Sequence, residues 1–257
     1  MAGIILERVI VAYPSQSYPA LGPLDLTIQE GECVFVTGPN GSGKTTLARV
    51  LSGVIRPSSG RIMTTNGDDL ATWRPGSVGW VQQNPLAQMV GATVSEDISL
   101  GPRWLSSTLE AVRVKTAEAL DQFGLGTIQD WSITSLSGGW QHQVALAAVY
   151  AQDPRIIILD EPETALDGRG MQRLMQWIYR LQQLGTILLI LGHSPRWASL
   201  ADRVVVLDHG IPVETDSLVN DTDQEWNRFL EGIFGCIPPV RSVGEVSEQI
   251  WPGKLAQ

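Results

Sequence analysis

The chain has 257 residues, close to the largest size one hydrophobic core supports, and a formal charge of −9. Its 43% hydrophobic and 18% charged residues fit a globular protein and exclude a disordered one. The charge argues against nucleic acid as a partner, because phosphate affinity is built from clustered Lys and Arg, and no apolar run reaches the ~18 residues of a membrane span.

The N-terminus "MAGIILERVI" lacks the basic, apolar and small-residue order of a secretory signal, so a cytoplasmic protein is expected. Cys33 and Cys236 lie far apart, with no CxxC and no histidine pair, which argues against a zinc site or a disulfide scaffold. Up to about Thr65, "ERVIVAYP" and "GRIMTTNGD" suggest an antiparallel sheet with tight turns. Then "ECVFVTG" precedes "KTTLARVLSGV", "RIIILD" precedes "RGMQRLMQWIYRLQQLG", and "TILLILG" with "SPRWASLA" precedes "RVVVLD". Strand and helix alternating in this way predict a parallel sheet covered by helices. Between them, from about Asn84 to Asp153, the strand signal fades, and "SSTLEAVRVKTAEALDQFGL" predicts a helical insertion. Met171, Leu174, Met175, Ile178 and Leu181 form a buried helical stripe. Beyond Asp216, Trp226, Phe229, Leu230, Ile233 and Phe234 fall at helical spacing, which suggests a C-terminal appendage over 216–257 after a main domain over 1–215.

"GPNGSGKTT", comprising Gly38, Pro39, Asn40, Gly41, Ser42, Gly43, Lys44, Thr45 and Thr46, satisfies the phosphate-loop pattern between a strand and a helix. The glycines let backbone N–H groups turn inward onto phosphate, Lys44 reaches the terminal phosphates, and the Thr45 hydroxyl suits Mg²⁺. A plain glycine-rich turn is the alternative, and the flanking strand and helix weigh against it. In "RIIILDEPETALD", a buried strand delivers Asp160 to its end, where a carboxylate can hold a Mg²⁺-bound water. Glu161 follows, placed to orient and partly deprotonate an attacking water.

The phosphate loop, "LSGG" and "LDEP", in this order, resemble the ATP-binding cassette ATPases over nearly the whole chain. The resemblance implies a P-loop α/β fold with a parallel core sheet, an N-terminal antiparallel β subdomain and an inserted helical subdomain. It also implies ATP with Mg²⁺, and a dimer in which Ser137, Gly138 and Gly139 of one subunit touch the γ-phosphate held by the other. By the same likeness Tyr13 stacks on adenine, Gln83 reaches Mg²⁺ and senses a membrane partner, Asp167 contacts the opposite subunit, and His193 contacts the γ-phosphate. Gln82 is the register alternative to Gln83.

Three departures stand out: Trp140 where glutamine is usual, Gln143 where arginine is common, and Gly192 and Ser194 flanking His193 where threonine and aspartate are familiar. "QNPLAQMVGATVSEDISLGP" and the tail "GCIPPVRSVGEVSEQI" further resemble the ATPases of energy-coupling-factor transporters. That likeness implies a subunit on the cytoplasmic face of the membrane, a second cassette, a transmembrane scaffold and a substrate-binding membrane protein, with a vitamin or transition-metal ion as cargo. Another importer class and a soluble cassette such as an iron-sulfur assembly ATPase stay open, as does homodimer against heterodimer, while Glu161 argues against a subunit that binds ATP without hydrolysing it.

Overall fold

A computed structural model describes residues 3–14, 17–69, 76–105, 108–166 and 168–213. The expected C-terminal appendage and Asp167 lie outside the described residues.

Two sheets form. Strands β1 (Ile4–Val11), β2 (Leu21–Ile28) and β4 (Ser59–Thr64) make an antiparallel sheet in the order β2-β1-β4. β2 alternates Leu24, Leu26 and Ile28 inward with Asp25 and Thr27 outward, the period-2 pattern of a strand with one wet face. The second sheet has the order β5-β6-β7-β3-β8-β9, from β3 (Cys33–Thr37), β5 (Val78–Val81), β6 (Ile156–Asp160), β7 (Ile187–Leu191), β8 (Arg203–Asp208) and β9 (Ile211–Val213). Its strands run parallel except β9, which closes the edge antiparallel to β8.

Alternation along the parallel strands splits the core in two. Cys33, Phe35, Ile157, Leu159, Leu188 and Ile190 face one cluster, shared with α4 (Gly138–Tyr150) and α5 (Gly168–Gln183). Val34, Val36, Ile156, Ile158, Leu189 and Leu191 face the other, shared with the antiparallel sheet and α1 (Lys44–Leu51). A central strand buried on both faces needs apolar residues at every position, and β3 is buried throughout.

The insertion holds α2 (Val94–Leu105), α3 (Leu109–Gln122) and α4, with no strand between Val81 and Ile156 among the described residues. Thr108 caps α3 by accepting from the Ala111 N–H at 3.2 Å. Phe123, Tyr150 and Trp177 meet at ring-centroid distances of 5.1 to 6.4 Å and join α3, α4 and α5. Trp177 extends the expected stripe on α5, where Met171, Leu174, Ile178 and Leu181 are buried and Met175 is packed at the margin.

One expectation is corrected. "SPRWASLA" forms only the 3-10 turn Pro195–Trp197. Trp197 is 1% exposed and tied to another loop by its indole, which fixes the segment as a tight connection.

Candidate active site

The carboxyl ends of β3, β5, β6 and β7 lie side by side in the sheet, so the loops that leave them converge, as ligand sites do in open α/β sheets. β3 leads into Gly38–Gly43, and α1 begins at Lys44. Gly38, Gly41 and Gly43 have φ of 142°, 80° and 105°, a region that suits glycine. At Gly38 glycine is also needed for space, because a Cβ would stand 2.0 Å from the Leu207 carbonyl oxygen. A Cβ at Gly41 would meet nothing within 4 Å, so the mouth of the loop is open. The buried Ser42 hydroxyl has no protein partner and the α1 N-terminus has no side-chain cap, so both are left to bind an anion. Lys44 Nζ donates to the Gly38 and Pro39 carbonyls at 2.7 and 3.1 Å, which holds it along the loop. Thr45 is exposed beside it, and Thr46 is buried.

Asp160 ends β6 and Glu161 follows in a left-handed conformation, with φ of 47°. That turn is unusual for a non-glycine residue, and it sends the Glu161 side chain away from the strand's path. The Glu161 N–H donates to the Leu191 carbonyl at 2.7 Å, which ties the ends of β6 and β7 together. Gln83 Nε2 donates to Glu161 Oε2 at 2.5 Å, and His193 Nε2 lies 3.6 Å from Glu161 Oε1. The structure therefore brings together Gln83, Glu161 and His193. The Gln82 N–H instead donates to Gln88 Oε1 at 2.9 Å, which folds "QNPLAQ" back over the turn Pro85–Gln88.

The segment beyond has its own locks. Asp97 accepts from the Val90 and Gly91 N–H groups at 2.8 and 2.9 Å, and Glu96 from Ala92 and Thr93. The acidic pair of "TVSED" thus anchors the loop after Gln83 to the first turn of α2.

Burial governs the electrostatics, with neighbouring charges second. Burial, and next the Glu161 charge, push Asp160 up to about 6, with Lys44 pulling the other way. Burial lowers Lys44, opposed by Glu161 and Asp160. His193 is lowered by burial and then by Lys44, so its imidazole is neutral at pH 7. Asp160, the Thr45 hydroxyl and the Gln83 amide oxygen are hard oxygen donors, the set a small divalent cation takes alongside phosphate. Among the described residues no cluster of three or more His, Cys, Asp or Glu could hold a metal by itself.

Ser137 occupies the N-cap of α4, but its hydroxyl takes no cap bond. Ser137 and Gly138 are exposed, and a Cβ at Gly138 would meet nothing within 4 Å. Trp140 packs against the main core cluster, and Gln143 Nε2 donates to the Phe123 carbonyl. Tyr13 is half-buried against the second core cluster, with its hydroxyl 3.4 Å from Arg49 Nη1. The His142 imidazole, one turn into α4, is fully buried without a hydrogen-bond partner. Sequence reasoning missed Glu163 and Trp197, which hydrogen-bond at 2.8 Å beside this centre. The only trace in the sequence is a carboxylate within "DEPET" that no phosphate-site pattern requires.

Comparison with known proteins identifies the family. The ABC transporter family profile matches residues 21–164. An ABC transporter ATP-binding protein of Halobacterium salinarum is 42% identical over 196 residues, covering 74% of this chain and 84% of the relative. The energy-coupling factor transporter ATP-binding protein EcfA of Methanosarcina acetivorans is 36% identical over 251 residues, covering 96% and 89%. The structure of cbiO1 from Clostridium perfringens, part of the ABC transporter complex cbiONQ, superposes with a TM-score of 0.75 at 26% identity, covering 96% of this chain and 99% of that one. A dimeric ATP-binding cassette in a post-hydrolysis state with ADP and phosphate superposes at 0.72 with 27% identity, covering 82% and 97%. The chain is thus a member of the ATP-binding cassette transporter family and an ATP-hydrolysing subunit, similar to those of energy-coupling-factor and cobalt importers.

Proposed function

We propose that this subunit powers import of a vitamin or transition-metal ion through an energy-coupling-factor type transporter, from the cytoplasmic face of the membrane. Its partners in this reading are a second cassette, a transmembrane scaffold and a substrate-binding membrane protein. The observation that carries the hydrolytic part is the convergence of Gln83, Glu161 and His193 at the end of the phosphate loop's sheet. The importer part rests on the likeness to proteins named energy-coupling factor and cobalt import ATPases. No described helix is long and apolar enough to cross a membrane, so membrane attachment falls to partners in this reading.

In the proposed mechanism, the backbone N–H groups of Gly38–Gly43 and the α1 N-terminus hold the β- and γ-phosphates of ATP, with Tyr13 against the adenine. Lys44 exchanges its loop carbonyls for phosphate oxygens and stabilises charge as the γ-phosphoryl group departs. Thr45, Asp160 and Gln83 would hold Mg²⁺, which would supply positive charge against the phosphates. Glu161 orients the attacking water and accepts its proton, and the neutral His193 donates to the γ-phosphate. Ser137, Gly138 and Gly139 complete the site of the opposite subunit. Asp167 is assigned to the same interface by resemblance alone.

The test is affinity purification of the tagged protein from detergent-solubilised membranes, with every co-purifying chain identified. A transmembrane scaffold, a second cassette and a small membrane-embedded binding protein are expected. Recovery with soluble proteins alone would overturn the transport reading and leave a soluble cassette ATPase.

A further inference from the structure

The loop after β7 carries His193, and it is clamped at both ends. At its start, the Glu161 N–H donates to the Leu191 carbonyl and the Gly192 N–H to the Val36 carbonyl, at 2.7 and 3.2 Å. At its far end stands Trp197, buried to 1% exposure, whose Nε1 donates to Glu163 Oε2 at 2.8 Å. Glu163 lies in the 3-10 turn Pro162–Ala165, just past Glu161. The loop that presents Glu161 therefore also holds the loop that presents His193, and the two side chains meet at 3.6 Å between these clamps.

Gly192 makes the room for this. A Cβ there would stand 3.0 Å from Glu163 Oε1 and 3.4 Å from Oε2, tighter than side chains ordinarily pack. The glycine is favoured by the carboxylate lying over it and not by backbone conformation, since its φ is outside the left-handed region. This accounts for glycine at a place where the family resemblance leads one to expect threonine. A buried indole N–H needs an acceptor, but a backbone carbonyl would serve that need; a carboxylate also puts negative charge near His193, where it opposes the lowering by burial and by Lys44.

We propose that Glu163 is a positioning residue for ATP hydrolysis, which fixes His193 against Glu161 by holding Trp197 across Gly192. This rests on the role given to His193 above. Geometry carries the effect: the clamp sets where the imidazole stands, and Gly192 leaves room for that clamp.

The full-length protein in its ATP-hydrolysing assembly provides the test, with Glu163→Ala, Glu163→Gln, Trp197→Phe, His193→Ala and the Glu163→Ala/His193→Ala double variant. Glu163→Ala and Trp197→Phe should each lower kcat about tenfold, as misplacing a catalytic group does, and leave KM for ATP within about twofold. Glu163→Gln keeps an oxygen that accepts the indole N–H and should recover most of the rate. The double variant should be no slower than His193→Ala. Independently of rate, the Trp197 indole resonance in ¹⁵N spectra should move in Glu163→Ala and return in Glu163→Gln.

Wild-type kcat in Glu163→Ala beside a slow His193→Ala would overturn the proposal while leaving the role of His193 standing. An equal rate loss from Glu163→Ala in the His193→Ala background would also overturn it, since Glu163 would then act elsewhere. Wild-type rate in His193→Ala would defeat the role of His193 itself, and the proposal with it.

Discussion

Gln83 donates its side-chain amide to Glu161 Oε2 across 2.5 Å, so the loop after β5 holds the residue proposed to activate water. The Gln83 amide thus occupies one oxygen of the proposed base, and in the proposed mechanism the same side chain would be one of the groups that hold Mg²⁺. Replacing Gln83 with alanine removes this contact together with one weak ligand. Basal ATPase of Gln83→Ala should stay within about fivefold of wild type, while stimulation of that ATPase by the membrane partners should fall. A steady-state phosphate-release assay with and without those partners reads both quantities.

Asp160 makes stability depend on pH in an unusual direction. Its folded pKa is raised from 3.8 to about 6, chiefly by burial and then by Glu161. A carboxyl raised in the folded state favours folding below its unfolded pKa and loses that contribution as pH rises through 6. Asp160→Asn removes the penalty, so it should stabilise the nucleotide-free protein at pH 7.5 and do so less at pH 4.5. Discounted for partial exposure, the gain at pH 7.5 is on the order of 1 kcal/mol, or about 2–4 °C in Tm. Thermal melts of both proteins at the two pH values check the sign. The same variant should hydrolyse ATP poorly.

Lys44 is held by two carbonyls of its own loop, at 2.7 and 3.1 Å. Lys44→Ala should therefore weaken ATP binding by about tenfold or more, since a charge-assisted contact is lost from a preformed cradle. The fold should survive, because the glycine turn is set by sterics and not by the lysine. Isothermal titration with ATP, beside a thermal melt, separates the two effects.

Trp140 packs on the core from the first turn of α4, while Ser137 and Gly138 stay exposed. The tryptophan thus serves packing, and the atoms assigned to the opposing nucleotide are spared. Trp140→Ala should cost about 2–3 kcal/mol of stability, whereas Trp140→Gln should leave ATPase in the assembled complex within about threefold of wild type. Gly138→Asp, which places a charge where the opposing phosphate would lie, should lower it about a hundredfold. Denaturant melts and ATPase assays of the three variants test the division between packing and chemistry.

The parts of the fold legible in the sequence are those encoded by contiguous residues. "IIILD" specifies a buried strand ending in an acid, and "GPNGSGK" specifies a turn only glycine can make, so β6, the phosphate loop and α1 follow directly. β2 was harder, because Gly22 and Pro23 interrupt the alternation that begins at Leu24. The turn Pro195–Trp197 was mistaken for a helix since its length is decided by the distant Glu163. Contacts that pair separate loops leave no periodic trace: Glu163 with Trp197, Gln143 with the Phe123 carbonyl, and the rings of Phe123, Tyr150 and Trp177. Gln83 was placed through resemblance, and its side-chain bond to Glu161 is another contact between distant segments that no local pattern carries.

The central claim is that Glu161 activates water at a site that binds ATP through other groups. Glu161→Gln keeps the shape of the side chain and can still face Gln83, but it cannot accept a proton. Measured together on the assembled protein, ATP affinity should be unchanged while kcat falls by about a hundredfold or more. A variant that hydrolyses ATP at the wild-type rate, with ATP bound equally well, would contradict the account and require another base.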